Sequence, residues 1–139
     1  MPADPDFEAL FAAAAAIQPR AYAPYSRFKV GAALLADDGR VHAGCNVENA
    51  AYPVGSCAEA GAIAAMVAAG GKAIRAVLVF GEGAELVTPC GACRQVILET
   101  EKRYGQPIRI LLYGKECIYE IKSIGDLLPL SFDASAMED

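Results

Sequence analysis

Two short segments of this chain, Cys57-Ala58-Glu59 and Pro89-Cys90-Gly91-Ala92-Cys93, carry three thiols and a carboxylate at spacings that suit metal chemistry. A zinc ion held by three thiolates keeps one position free for water, which is what separates a catalytic ion from a structural clip. Glu59 stands two residues beyond the first candidate ligand, near enough to sit beside the metal without binding it. A carboxylate there can take a proton from water and return it to a substrate. Bringing the pKa of water from about 15.7 to about 7 is worth on the order of 12 kcal/mol, and three electron-rich thiolates should supply less of that than three imidazoles. Glu59 is therefore expected to assist the deprotonation, and the pattern predicts hydrolytic chemistry.

These residues need elements that aim them at one point. Cys57 to Ala69 reads as a helix ended by Gly70-Gly71. Thr88-Pro89 reads as the cap and first residue of a second helix, running through Val96, Ile97 and Leu98 to about Tyr104. Cys57 then opens one helix, while Cys90 and Cys93, three residues apart, share one face in the first turn of the other. Three thiolates around a divalent ion leave about one negative charge, and each helix N-terminus offers roughly half a positive one. Two helix starts nearly offset the excess.

The remaining elements follow from local chemistry. Asp4 is placed to cap a first helix with Pro5 in its first turn, and the alanine-rich stretch continues it to Ile17 before Pro19 forbids more. Val30 to Leu35 and Val41 to Cys45 flank Asp37-Asp38-Gly39, which pairs them as a hairpin. Asn46 to Ser56 is a polar, proline-interrupted loop long enough to meet a ligand. Further strands are expected at Ile74 to Phe80, at Ile108 to Tyr113 and, shorter, around Tyr119 to Ile121. The order predicts an α/β fold of three layers, α/β/α, with a mixed sheet of about five strands: an antiparallel hairpin followed by parallel strands joined by right-handed crossovers.

At 139 residues the chain suits a single domain spanning 1–139. Hydrophobic residues make up 55%, yet no run approaches the 18 or so apolar residues of a membrane span, so no membrane partner is expected. The start, Met1-Pro2-Ala3-Asp4-Pro5-Asp6, is acidic and lacks the pattern of a secretion signal, which predicts a cytoplasmic protein. A net charge of −5 without a dense basic run argues against a nucleic-acid polymer as partner. In a reducing compartment clustered thiols favour metal or redox work over disulfides. Of the five cysteines, Cys45 and Cys117 lack the ligand spacing.

Each residue also has a plainer explanation. Ser56-x-x-Glu59 fits a capping box, in which Glu59 only bonds the helix start. Cys90-Gly91-Ala92-Cys93 after a strand resembles a thioredoxin-type redox pair, although that leaves Cys57 and Glu59 unexplained. A closed structural zinc with His42 or Cys45 as fourth ligand is a third option, and it predicts a non-catalytic zinc module that binds a partner protein.

The Pro-Cys-x-x-Cys element with a non-ligand glutamate is the known pattern of zinc deaminases. Three further segments, Tyr25-Ser26-Arg27-Phe28-Lys29-Val30-Gly31-Ala32-Ala33, Gly44-Cys45-Asn46-Val47-Glu48-Asn49-Ala50 and Asp126-Leu127-Leu128-Pro129, extend the resemblance over most of the chain. It resembles the small, homotetrameric cytidine deaminases of nucleoside salvage. The resemblance implies Zn2+ held by Cys57, Cys90 and Cys93, with Glu59 as proton shuttle. It also implies ribose contacts from Asn46 and Glu48, packing of Phe28 on the pyrimidine, and backbone around Ala58 and Thr88 holding the polar edge of the base. Tyr52 and Phe132 would complete a neighbouring subunit's pocket, making a homotetramer part of the site. Read from their types alone, Asn46 and Glu48 are loop polar residues, and Phe28, Tyr52 and Phe132 are core or interface aromatics.

One departure stands out. Many tetrameric relatives carry an arginine directly after the glutamate, where it hydrogen-bonds ligand thiolates; here Ala60 and Gly61 follow Glu59. Arg94 and Arg27 are the candidate replacements by motif position. The implied activity is deamination of cytidine and 2′-deoxycytidine, small nucleoside substrates, with a deaminase of a nucleoside-like antibiotic such as blasticidin as the nearest rival. Phe28 and Asn46-x-Glu48 favour cytidine. The acidic balance disfavours a polynucleotide-editing enzyme.

Overall fold

The computed structural model describes residues 5–81, 87–113 and 118–137, so Asp4, Cys117 and the glycine-rich stretch at 82–86 lie outside the described residues. In chain order the elements are α1 (Pro5–Ile17), β1 (Val30–Ala36), β2 (Val41–Cys45), α2 (Ala58–Ala68), β3 (Ile74–Gly81), α3 (Gly91–Tyr104), β4 (Arg109–Tyr113) and β5 (Ile118–Ile121). Short 3-10 turns occupy Gln18–Arg20, Tyr52–Val54, Ile124–Leu127 and Ala134–Met137. The strands form one five-stranded sheet in the order β2-β1-β3-β4-β5.

Pairing is antiparallel for β1 with β2, β1 with β3 and β4 with β5, and parallel for β3 with β4. β1 therefore sits between β2 and β3, which point the same way, and α2 crosses over it. The expected mixed sheet is present. Its parallel part is confined to β3 and β4 among adjacent strands, because the hairpin partner β1 takes the other edge of β3.

Side-chain alternation divides the core into two layers, as the period of a strand requires. Ala33, Leu35, Ala76, Leu78 and Leu111 meet Leu10 and Ala14 of α1 on one face. Leu34, Val77, Val79, Ile110 and Leu112 meet Ala62, Met66, Ile97 and Leu98 of α2 and α3 on the other. Phe7 and Phe11 join the first layer, so α1 presents residues 7, 10, 11 and 14, the stripe of a half-buried helix. The close approach of α1 to the sheet is at Gly31, where a Cβ would lie 2.4 Å from the Ala14 carbonyl oxygen.

Helix α2 ends as its glycines predict. Gly70 adopts φ +88°, Gly70 N–H donates to the Val67 carbonyl at 3.0 Å and Gly71 N–H to the Met66 carbonyl at 2.9 Å. These are the two bonds that close a Schellman motif. At its other end α2 is pressed against β2, where a Cβ on Gly44 would lie 2.4 Å from the Ala62 nitrogen and 2.5 Å from the Ala58 oxygen. Gly44→Ala must push α2 off the sheet, and overpacking of backbone typically costs about 1–3 kcal/mol, occasionally more. A clearly lower melting temperature is expected, with reduced zinc content because α2 carries Cys57 and Glu59. A melt identical to the parent would refute the close approach.

Candidate metal centre and active site

Cys57 and Cys90 are the N-cap residues of α2 and α3, both in extended conformation. The Cys90 sulphur caps α3 itself, accepting from Cys93 N–H at 3.5 Å. The second helix therefore begins two residues later than the Thr88-Pro89 signal predicts, with Thr88 and Pro89 outside it. Two local side-chain bonds mark this start: Cys93 N–H donates to the Cys90 sulphur, and the Pro89 carbonyl accepts from the Arg94 side chain five residues on instead of entering the helical ladder. Ser56 caps nothing, since Cys57 holds the cap position of α2 and the Ser56 hydroxyl donates only to the Cys57 carbonyl at 3.4 Å. The capping-box explanation of Glu59 is thereby removed.

The sulphurs of Cys57, Cys90 and Cys93 all lie within 4.8 Å of one another. Cys57 and Cys90 stand 3.7 Å apart, and all three thiols are free. With metal–sulphur bonds of about 2.3 Å, tetrahedral geometry sets neighbouring sulphurs about 3.8 Å apart. The donor set fits zinc. Among the described residues neither His42 nor Cys45 joins this group, so the closed four-ligand site finds no fourth side chain there. A two-cysteine redox pair also fails to describe three converging thiols.

Glu59, only 4% exposed, shares a cavity of about 250 Å³ with Cys57 and Cys90. Burial pushes its carboxyl up, against hydrogen bonds from its own backbone N–H and from Cys93 that pull it down. Burial likewise raises Cys93 far above an ordinary thiol, helped by the negative charges of Glu59 and Cys57. Cys57 is raised mainly by burial. For Cys90 burial also pushes upward, but hydrogen bonds from Cys93 N–H and from the neighbouring thiols outweigh it and leave the group lowered. The leading charge effects on Cys57 and Cys93 come from Glu59 and a neighbouring thiol, and that on Cys90 from Glu59. Arg94 is occupied with the carbonyls of Pro89 and Leu127, so it does not take the place of an arginine at Ala60. The two helix starts bring positive partial charge to the centre.

The same cavity is walled by Phe28, Val30, Asn46, Ala58, Val87 and Thr88. It adjoins a wider cavity of about 490 Å³ whose lining includes Tyr25, Asn46, Glu48, Tyr52 and Cys57. Thus Phe28, Asn46, Glu48, Tyr52, Ala58 and Thr88 gather around the thiols. Phe132 does not: it is exposed and lines neither cavity.

Asn46 and Glu48 have a second task that their types did not reveal. Asn46 Oδ1 accepts from Val30 N–H at 2.8 Å and its Nδ2 donates to the Phe28 carbonyl at 2.9 Å, which fixes the strand entry carrying Phe28. Glu48 accepts from the N–H groups of Tyr25 and Ser26 at 2.9 and 3.0 Å and from the Ser26 hydroxyl. The Ser26 hydroxyl is the main influence holding the Glu48 carboxyl below the usual carboxylate range. Ser26 is the residue missed from sequence. Its only signal was its place between Tyr25 and Phe28 in a motif assigned to its aromatic member.

An α/β/α sheet that delivers three thiols and a buried carboxyl to one point, from two helix starts, defines a zinc centre built for hydrolysis. Residues 5–104 match the cytidine and deoxycytidylate deaminase zinc-binding region. A cytidine deaminase of Mycobacterium tuberculosis (strain ATCC 25618 / H37Rv) is 42% identical over 122 residues, covering 86% of this chain and 81% of that protein. One from Sporosarcina psychrophila is 48% identical over 94 residues, covering 68% and 69%. The crystal structure of cytidine deaminase from Burkholderia pseudomallei superposes with a TM-score of 0.81 at 45% identity, over 90% of this chain and 98% of that one. The chain belongs to the cytidine and deoxycytidylate deaminase family, and its cofactor is zinc. Among the described residues no helix is long and apolar enough to cross a membrane.

Proposed function

We propose that the protein converts cytidine and 2′-deoxycytidine to uridine and 2′-deoxyuridine by hydrolysis, releasing ammonia, as a step of pyrimidine salvage. The observation that carries this reading is that a cavity of about 250 Å³ is lined by Glu59 together with Cys57 and Cys90 of the thiol cluster. Relatives spanning most of the chain are named cytidine deaminases, which supports the substrate.

When bound by Cys57, Cys90 and Cys93, zinc supplies the Lewis acidity that makes hydroxide available near neutral pH. Glu59 accepts the proton of the attacking water, delivers it to N3 as oxygen adds to C4, and then helps the amino group leave as ammonia. Burial suits a carboxyl that must hold and release a proton, because it weakens the preference for the charged form. Phe28 packs on the base, and backbone at Ala58 and Thr88 holds its polar edge. Asn46 keeps an unused N–H, and Glu48 an unused lone pair, for ribose hydroxyls while they brace the loop beneath.

The reading extends to a homotetramer in the cytoplasm, each chain a single domain over 1–139, in which Tyr52 and Phe132 complete a neighbour's pocket. The exposure of Phe132, 59%, and its place outside both cavities of its own chain support such a contact, while Tyr52, 75% exposed, also lines its own chain's wider cavity. Zinc-loaded protein given cytidine should lose cytidine absorbance and release ammonia in equal amounts. Turnover of blasticidin without turnover of cytidine would overturn the reading.

A further inference from the structure

Directly after Cys93, α3 carries two side chains that bind neither the thiols nor the cavity. Arg94 Nε donates to the Pro89 carbonyl at 2.8 Å and its Nη1 donates to the Leu127 carbonyl at 3.3 Å. Gln95 Nε2 donates to the Phe132 carbonyl at 2.8 Å. One guanidinium thus spans the residue before Cys90 and the end of the Ile124–Leu127 turn, and the next residue grips the chain further along.

The lower part of α3 works to the same end. Glu101, seven residues on from Arg94 and so on the same helix face, accepts from Ile108 N–H at 2.9 Å, Ile124 N–H at 3.1 Å and the Ser123 hydroxyl at 2.8 Å. Leu98, buried between them, supplies the apolar contact. From Ser123 to Phe132 the chain lies against the helix that starts at the metal ligands, held at three points by side-chain bonds. Leu130 is fully exposed, so apolar packing holds little of this segment's far end.

We infer that Arg94 and Gln95 are positioning residues that fasten the C-terminal segment to the metal-bearing turn, so that Phe132 is presented at a fixed place relative to Cys90 and Cys93. This rests on the reading above that Phe132 walls a neighbour's substrate pocket. Arginine suits the first position because its planar fork reaches two carbonyls at once, which a lysine ammonium does not. The Gln95 bond is solvent-accessible, so its loss leaves the core intact while freeing the backbone that carries Phe132.

The test compares Gln95→Glu, Phe132→Ala and the double variant in steady-state kinetics with cytidine, alongside zinc content and melting temperature. Glutamate keeps the size of glutamine and removes the donor. Gln95→Glu should keep full zinc and the parental melt, raise KM about five-fold with kcat little changed, and add nothing further in the Phe132→Ala background. Gln95→Asn, whose amide falls short of the Phe132 carbonyl, should repeat the KM effect. A KM raised by Phe132→Ala but not by either Gln95 variant would overturn the clamp and leave the pocket reading intact. A KM unmoved by Phe132→Ala would overturn the pocket reading and the clamp with it. Additive effects with a lowered melt would reduce Gln95 to a structural prop and also overturn the inference.

Discussion

Glu59→Gln should leave zinc bound and the fold intact while lowering kcat on cytidine by about 10³-fold or more. Amide and carboxyl have the same shape, so the buried space beside the thiols stays filled. What disappears is a group able to take the proton of water and hand it on, a role generally worth about 10²–10⁴-fold. Since burial already works against a charged side chain here, a neutral amide should not lower the melting temperature. Retention of more than about a tenth of parental kcat at full zinc occupancy would mean that the proton travels by another route.

Cys90→Ser should separate the metal from the fold. The Cys90 sulphur both belongs to the three-sulphur group and caps α3. Serine is itself a favoured cap residue, so the helix start survives the exchange. The soft thiolate is lost, and zinc affinity should fall by more than about 100-fold, with activity falling in parallel. Elemental analysis after dialysis reads the first effect and circular dichroism the persistence of helix. A variant that keeps stoichiometric zinc would place the ion elsewhere.

Most of what positions this centre was legible because it is local. The glycine stop of α2, the Asp37-Asp38-Gly39 turn and the apolar strand runs are short-range signals, and these elements formed within a residue or so of where they were expected. The three thiols and Glu59 were legible for a different reason: few other arrangements explain a Cys-x-Glu and a Pro-Cys-x-x-Cys together. What could not be read was set by particular side-chain bonds. The start of α3 moved from Thr88 to Cys90, where the Cys90 sulphur takes the Cys93 N–H and Arg94 takes the Pro89 carbonyl, bonds no propensity encodes. The bracing roles of Asn46 and Glu48 depend on the loop at residues 25–30 folding over them. Arg94, one of the two candidates to replace the missing arginine, has its guanidinium committed to backbone.

X-ray absorption at the zinc edge tests the core of this account most directly, because it counts the atoms bound to the ion in the working protein. Three sulphurs at about 2.3 Å with one lighter atom at about 2.0 Å is the predicted shell. Four sulphurs, or a protein nitrogen from His42 in place of water, would close the position at which hydrolysis must occur and contradict it.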